Sequence, residues 1–387
     1  MNKKNSLTVL ISTILSIVLC YFLFFLKIHL KNLNEHPHGF KSFDTLNFNK
    51  KYYNKFHHLR DADGRWETSD NPENYLFNTI KKFSIDTNNI LLQGDSWIEQ
   101  IHENNSRKSH NLISDFANKN NLGLINAGVT SFSPSLMQLQ YEVLEKDFNI
   151  KPNIVVAYID QTDLGDELCR YKDKRVYNKN NTLIAIKKES YSRATYDYTK
   201  TFYISEIILL YDSTFLRNLI LTNFFIKYEF LRFVNKVKSI KKNGWQNRDT
   251  SKCRFNEIRK YLIKSNDNEI SYFEDRVKDY INLLLTKEYI AKIILVTFPH
   301  HDHVFGYITS KNEKNYYSVN VSNIIEKIAK NNKKIYHLNF SQLISDGKIN
   351  LENYSFVEND PSSHLKEEYQ ATIFTQEIIN TLKWKIL

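Results

Sequence analysis

The sequence predicts an α/β fold: a three-layer α/β/α sandwich around a five-stranded parallel sheet, with a helical insertion and an N-terminal transmembrane helix. Three observations predict it. From Asn88 onward, short apolar runs rich in β-branched residues alternate with stretches of helical periodicity. Well over a hundred residues separate the third run from the fourth, far more than a crossover needs. Ahead of all of them lies one long uncharged segment, Leu7 to Leu26.

That segment comes first in the chain. At 1.5 Å per residue, its twenty positions span about 30 Å as a helix, the thickness of a bilayer's hydrocarbon core. No small-x-small cleavage site follows it, and Leu19 stands before Cys20 where a lipobox has a small residue. Residues 1–30 are therefore expected to be an uncleaved anchor. Lys3 and Lys4 on one side are opposed by Lys27 and Lys31 on the other, so charge does not orient the span. The short N-terminal tail is the usual arrangement of a signal anchor, which predicts a single-pass inner-membrane protein with a periplasmic or extracellular body. Residues 31–86, polar and aromatic, are expected to form a stalk and an N-terminal elaboration.

Residues 87–387 form the expected main domain. Its strands are Ile90–Leu92, Leu122–Ile125, Ile154–Ile159, Ile293–Phe298 and Ile335–Leu338. The helices between and after them run from Trp97 to His102, Asn111 to Lys119, Ser135 to Phe148, Ile270 to Leu285, Ser322 to Lys330 and Leu365 to Leu382, with Ser135 and Ser322 as N-caps. Strands alternating with helices imply a parallel sheet. The insertion covers about 170–268, and its centre, Phe202 to Val237, reads as one or two amphipathic helices.

Hydrophobic residues make up 42% of the 387 and charged residues 25%, which excludes a disordered chain and suits one elaborated domain. The net charge of +10 is concentrated in part between Lys227 and Lys264, a bias that suits an anionic membrane face or an acidic glycan. No nucleic-acid-binding motif accompanies it. Cys169 and Cys253, the two cysteines outside the span, are the only pair that could form a disulfide; they have no metal-ligand spacing, and two ordinary thiols is the favoured reading.

Chemistry concentrates at strand ends. Ile90-Leu-Leu-Gln-Gly-Asp-Ser-Trp97 is a buried strand running into Gly94-Asp95-Ser96 and then a helix. In a parallel sheet, ligands bind beyond the carboxyl ends of the strands, and a helix beginning there aims backbone N–H groups at a developing oxyanion. A second candidate cluster, Pro299-His-His-Asp-His303, follows the fourth strand on the same edge. Adjacent residues of one loop seldom converge on one ion, so no metal site is expected there. Trp97 and Tyr158 flank the site in sequence and read as core.

With Asn126-Ala-Gly-Val-Thr-Ser131, Asp160-Gln-Thr-Asp163 and Asp360-Pro-Ser-Ser-His364, the Gly94-Asp95-Ser96 segment resembles the motif series of the SGNH/GDSL hydrolase family, a flavodoxin-like fold. The resemblance spans roughly Asn88 to Tyr369 apart from the insertion. It implies Ser96 as nucleophile, His364 as general base and Asp360 as the carboxylate that orients it. It also implies an oxyanion hole from the N–H of Ser96 and that of the second block, either Gly128 or Ser131. Asp95 and Asp163 support the site.

Two departures bear on mechanism. The third block of the family carries an asparagine donor where this chain has Thr162; the Thr162 hydroxyl or the Gln161 amide could substitute for it, and an unreplaced asparagine would leave a slow enzyme rather than a dead one. The last block places three residues rather than two between Asp360 and His364. The resemblance implies a cofactor-independent esterase acting on an ester-bearing cell-envelope carbohydrate or lipid, with no nucleic-acid partner. An O-acyltransferase using the same serine and a catalytically silent glycan-binding protein are the alternative readings. The oligomeric state is left open.

Overall fold

In the computed structural model of the chain, the described residues are 12, 16, 76–85, 87–101, 107–186, 261, 265–301, 304, 318–358, 360 and 363–386. The chain divides into two compact units. All described residues except Ser12 and Ser16 belong to the unit formed by Phe48–Glu189 and Ser251–Leu387. The predicted anchor, apart from the helical and exposed Ser12 and Ser16, lies outside the described residues. Among the described residues no helix is long and apolar enough to cross a membrane.

The unit is a mixed α/β body built on a mostly parallel sheet. Its strands are β1 (Asn78–Lys81), β2 (Asn89–Gly94), β3 (Gly123–Gly128), β4 (Ile154–Tyr158), β7 (Lys292–Thr297) and β8 (Ile335–Asn339), in the order β1-β3-β2-β4-β7-β8. A separate two-stranded antiparallel sheet pairs β5 (Arg175–Tyr177) with β6 (Leu183–Ile186), in the described part of the expected insertion. The central sheet has six strands, which corrects the expected five. The added one, β1, pairs antiparallel with β3 at the edge, in a segment expected to be stalk. Asn-Thr-Ile-Lys is four residues long and pairs on one side only, so it needs no apolar run, and the hydropathy pattern does not reveal it.

The remaining strands run parallel. Counted among themselves their order is 2-1-3-4-5, so the winding reverses between β2 and β4. Ligand crevices open beyond the carboxyl ends of strands at such a switch point.

Side chains alternate across the sheet. Leu91, Ile125, Val155 and Ile293 pack into one core with α3 (Pro134–Phe148), α4 (Asp267–Leu285) and α5 (Ser318–Lys330). Ile90, Leu124, Ile154 and Ile294 pack into the other with α1 (Ser96–Glu99), α2 (Arg107–Lys119) and α7 (Gln376–Ile386), while α6 (Phe340–Ser345) follows β8. Burial on both faces is why these strands read as continuous apolar runs.

Helix starts depart from expectation. Ser133 occupies the N-cap position of α3 without a side-chain capping bond and Pro134 its first turn, so Ser135 lies inside the helix. Ser322 lies in the second turn of α5, its hydroxyl 3.2 Å from that of Thr297. The cap of α4 is Asn266, whose side chain and that of Glu269 form a reciprocal capping box.

One polar network anchors the end of β2 from below. Gln93, fully buried, donates to Gln140 Oε1 at 2.7 Å and accepts from the Tyr280 hydroxyl at 2.8 Å. Gln140 in turn donates to the carbonyls of Leu76 and Ala127, both at 2.8 Å. A buried network satisfied in this way ties β2 to α3, α4 and the chain before β1.

Candidate active site

The strand β2 delivers Ser96 to the rim through a turn that only glycine permits. Gly94 has φ +155°, and a Cβ there would lie 2.8 Å from Ile98 Cγ1 and 2.9 Å from Tyr158 Cβ. Asp95 then caps α1 by accepting the N–H of Trp97 at 2.9 Å. Ser96 is the first residue of that helix, where backbone N–H groups have no intrahelical acceptor.

His364 arrives from the far end of the chain. Its segment lies against residues 355–357: Phe356 bridges Leu365, Val357 N–H donates to the His364 carbonyl at 2.9 Å, and Lys366 N–H donates to Ser355 at 2.9 Å. The longer spacing from Asp360 is taken up by a turn in which Ser363 has φ +57° and its N–H donates to the Asp360 carbonyl at 3.1 Å. The turn brings the Asp360 carboxylate back onto the residue it precedes.

The three side chains meet. Ser96 Oγ lies 2.7 Å from His364 Nε2, and His364 Nδ1 lies 2.5 Å from Asp360 Oδ2. An ionised carboxylate only accepts, so Nδ1 carries the proton and Nε2 is left to accept from the serine hydroxyl. Below the imidazole sits Trp97, with ring centroids 5.9 Å apart. Trp97 also packs on Phe298 at 4.7 Å and Tyr158 at 5.5 Å, so both aromatics flanking the site are core. The arrangement can pass a proton from a hydroxyl to a base held in one tautomer.

Gly128 and Ser131, the two second-block candidates, have different environments. The Gly128 N–H donates to Asn126 Oδ1 at 2.8 Å, and a Cβ on Gly128 would meet the Glu99 backbone nitrogen at 2.2 Å. That glycine serves the close approach of α1 to β3. Beyond it, Val129 N–H donates to Gly94 at 3.0 Å, Thr130 N–H to Glu99 Oε2 at 2.6 Å, and Phe132 N–H to Val129 at 2.9 Å. The Ser131 N–H alone in this run has no acceptor among the described residues. Ser131 has φ +61° at the third position of the Val129–Phe132 turn, a place that favours glycine and costs a residue with a side chain roughly 1 kcal/mol or more.

In the third block, the Thr162 hydroxyl donates to Asp160 Oδ2 and the Gln161 N–H to Asp160 Oδ1 at 2.6 Å, while Asp163 Oδ2 accepts the Asp160 N–H at 3.0 Å. Thr162 is thereby engaged within the protein. Both polar atoms of the buried Gln161 amide lack a partner among the described residues. Burial pushes Asp95 and Asp163 well above the usual carboxylate range, with the neighbouring carboxylates adding to it.

Comparison with protein-family models, curated proteins and solved structures finds no match. The site is thus defined by its own geometry, which includes residues that sequence reasoning passed over. Glu99 is 1% exposed and also accepts the Thr130 hydroxyl; a carboxylate one turn after Ser96 in an otherwise apolar helix was the available signal. Arg170 and Tyr171, inside the expected insertion, both reach Ser131.

Of the histidine cluster, His300 is buried, and the His301 ring meets Phe356 edge-on at 4.9 Å. Asp302 and His303 lie outside the described residues. Among the described residues no group of three or more His, Cys, Asp or Glu could hold a metal ion. Cys169 is disulfide-bonded, which corrects the expectation of ordinary thiols. Spacing along the chain carries no information about a bridge closed in three dimensions.

Proposed function

We propose that this chain is a serine esterase of the SGNH/GDSL type that works through an acyl-serine intermediate. The observation that carries the reading is the continuous relay from Ser96 Oγ to His364 Nε2 and from His364 Nδ1 to Asp360. Its position at the switch point of a parallel sheet, a flavodoxin-like feature, supports it further.

In this mechanism His364 Nε2 takes the hydroxyl proton as Ser96 Oγ attacks the ester carbonyl. The oxyanion receives the N–H groups of Ser96 and Ser131 and the Gln161 amide. Collapse breaks the bond to the alcohol, which leaves with the proton from His364, and the acyl group stays on Ser96. Water then gives its proton to the same nitrogen and adds to the acyl carbonyl; collapse breaks the bond to Ser96 Oγ, which takes that proton back from His364 as the acid leaves.

The substrate in this reading is an ester, such as acetyl, on a cell-envelope carbohydrate, acted on outside the inner membrane. The uncharged Leu7–Leu26 segment supports that placement, and so does the disulfide at Cys169, since such bonds persist in oxidising compartments.

The test is labelling of the full chain with a fluorophosphonate, together with hydrolysis of a chromogenic aryl acetate. Wild type should label at one site and Ser96→Ala should not, with activity lower by roughly 10⁴-fold or more. Folded wild type that neither labels nor hydrolyses would overturn the reading.

A further inference from the structure

We propose that the turn Asp166–Tyr171 is a clamp that holds the second-block turn in its oxyanion-binding shape, with Arg170 and Tyr171 as positioning residues. The inference rests on the esterase reading, and it adds two residues outside the Ser96–His364–Asp360 relay.

Ser131 needs external support. It carries a side chain at φ +61°, a conformation glycine adopts freely and serine does not. In that conformation its N–H has no acceptor among the described residues. Two successive residues grip it from one side. Arg170 Nη1 donates to Ser131 Oγ at 3.0 Å, and the Tyr171 hydroxyl donates to the Ser131 carbonyl at 2.5 Å. On the other side Glu99 holds Thr130 through its N–H and hydroxyl.

The gripping side chains are themselves fixed. Arg170 pairs with the buried Asp166 at 3.1 Å, and Tyr171 is fully buried. The segment is π-helical, a local widening of the helix that recurs at functional sites. It widens where two neighbouring residues must reach one serine. The next residue but three, Arg175, pairs with the buried Glu167, which also accepts Ser133 Oγ at 2.5 Å and Ser135 N–H at 2.8 Å. The same π-turn is thus fastened both to the loop that leads from β3 into α3 and to the start of α3 itself.

The effect on chemistry follows from geometry. An oxyanion donor acts only when placed within about 3 Å of the developing charge, and losing one costs roughly 10²- to 10³-fold in kcat. Releasing the clamp lets the donor wander without deleting it, so a smaller loss is expected, roughly 10- to 100-fold in kcat with KM for a small aryl acetate little changed.

The experiment compares Tyr171→Phe and Arg170→Ala in two backgrounds, wild type and Ser131→Gly, each mutant measured against its own parent. Glycine adopts the left-handed shape without the steric cost that serine bears. The proposal expects losses of 10- to 100-fold in kcat in the wild-type background to shrink to within about threefold in the S131G background. Equal losses in both backgrounds, or no loss in the first, would overturn it. Thermal melting of the same set separates this from failure of the esterase reading. A Tyr171→Phe drop in Tm that is larger in the wild-type background than with S131G supports the clamp as a conformational device, and equal drops count against it. Absence of fluorophosphonate labelling in folded wild type would remove its catalytic role.

Discussion

One carboxylate oxygen of Asp360 holds His364 twice. Oδ2 lies 2.5 Å from the imidazole Nδ1 and accepts the backbone N–H of the same residue at 2.9 Å. The carboxylate therefore sets the loop conformation as well as the tautomer, and the extra residue between the two is absorbed where Ser363 turns left-handed.

Asp360→Asn tests both roles. An amide in this position can present its NH₂ to Nδ1 and favour the tautomer whose Nε2 is protonated, which cannot accept from Ser96. We expect kcat to fall roughly 10³- to 10⁴-fold with the fold retained, measured as aryl acetate hydrolysis beside a melting curve. A loss below tenfold would reduce Asp360 to a loop fastener.

Gln161 and Thr162 should separate cleanly. Thr162→Val removes a hydroxyl that is engaged by Asp160, so it should lower stability by about 1 kcal/mol or more and leave kcat within a few-fold. Gln161→Ala removes an amide with no partner among the described residues and should instead lower kcat by roughly 100-fold. Kinetics and denaturant titration of the two variants decide this, and the reverse pattern would exchange their roles.

Gly128→Ala is predicted to be damaging although it adds a single methyl group. The Cβ would meet backbone atoms of α1, the Glu99 nitrogen at 2.2 Å and the Ile98 carbonyl carbon at 2.6 Å, so the helix carrying Ser96 must move. Overpacking costs about 1–3 kcal/mol or more, and denaturant unfolding should show at least that. Labelling of Ser96 should slow in parallel.

Stability should fall as pH rises towards neutrality. Burial pushes Asp166 up to about 7 despite Arg170, and raises Asp95 and Asp163 as well. These carboxyls hold protons in the folded state at pH values where the unfolded chain, with aspartate near 3.9, has released them. Unfolding then releases protons, so the contribution of these groups to stability is greatest below about pH 4 and declines as pH rises, that of Asp166 being lost as pH passes through about 7. Melting temperatures from pH 5 to 8 should show the decline attributable to Asp166, and Asp166→Asn should flatten its upper part. A wild-type profile with no difference from that variant would remove Asp166 as its source.

Much of the architecture was legible because burial leaves a local trace. Strands covered on both faces must be apolar throughout, and Ile90–Leu92, Ile154–Ile159 and Ile293–Phe298 all read that way. Asn78–Lys81 left no such trace, since an edge strand of four residues needs only a partner. Helix starts were shifted for a related reason: Ser133 with Pro134 begins α3 two residues ahead of Ser135, and local patterns mark helix interiors better than their ends.

The sequence alone determined which residue types were available for chemistry and on which edge of the sheet they had to lie, because strand order along the chain and right-handed winding leave the ends of β2, β3 and β4 on one rim. Only the tertiary structure decided how they are used. Gly128 and Ser131 are equivalent in a motif, but a backbone helix pressed against one and a φ of +61° at the other give them different work. Asp360 and His364 carry an unusual spacing that a single left-handed residue makes harmless. Such outcomes depend on where N–H groups point and which acceptors already take them, and those directions come from contacts between segments far apart in the chain.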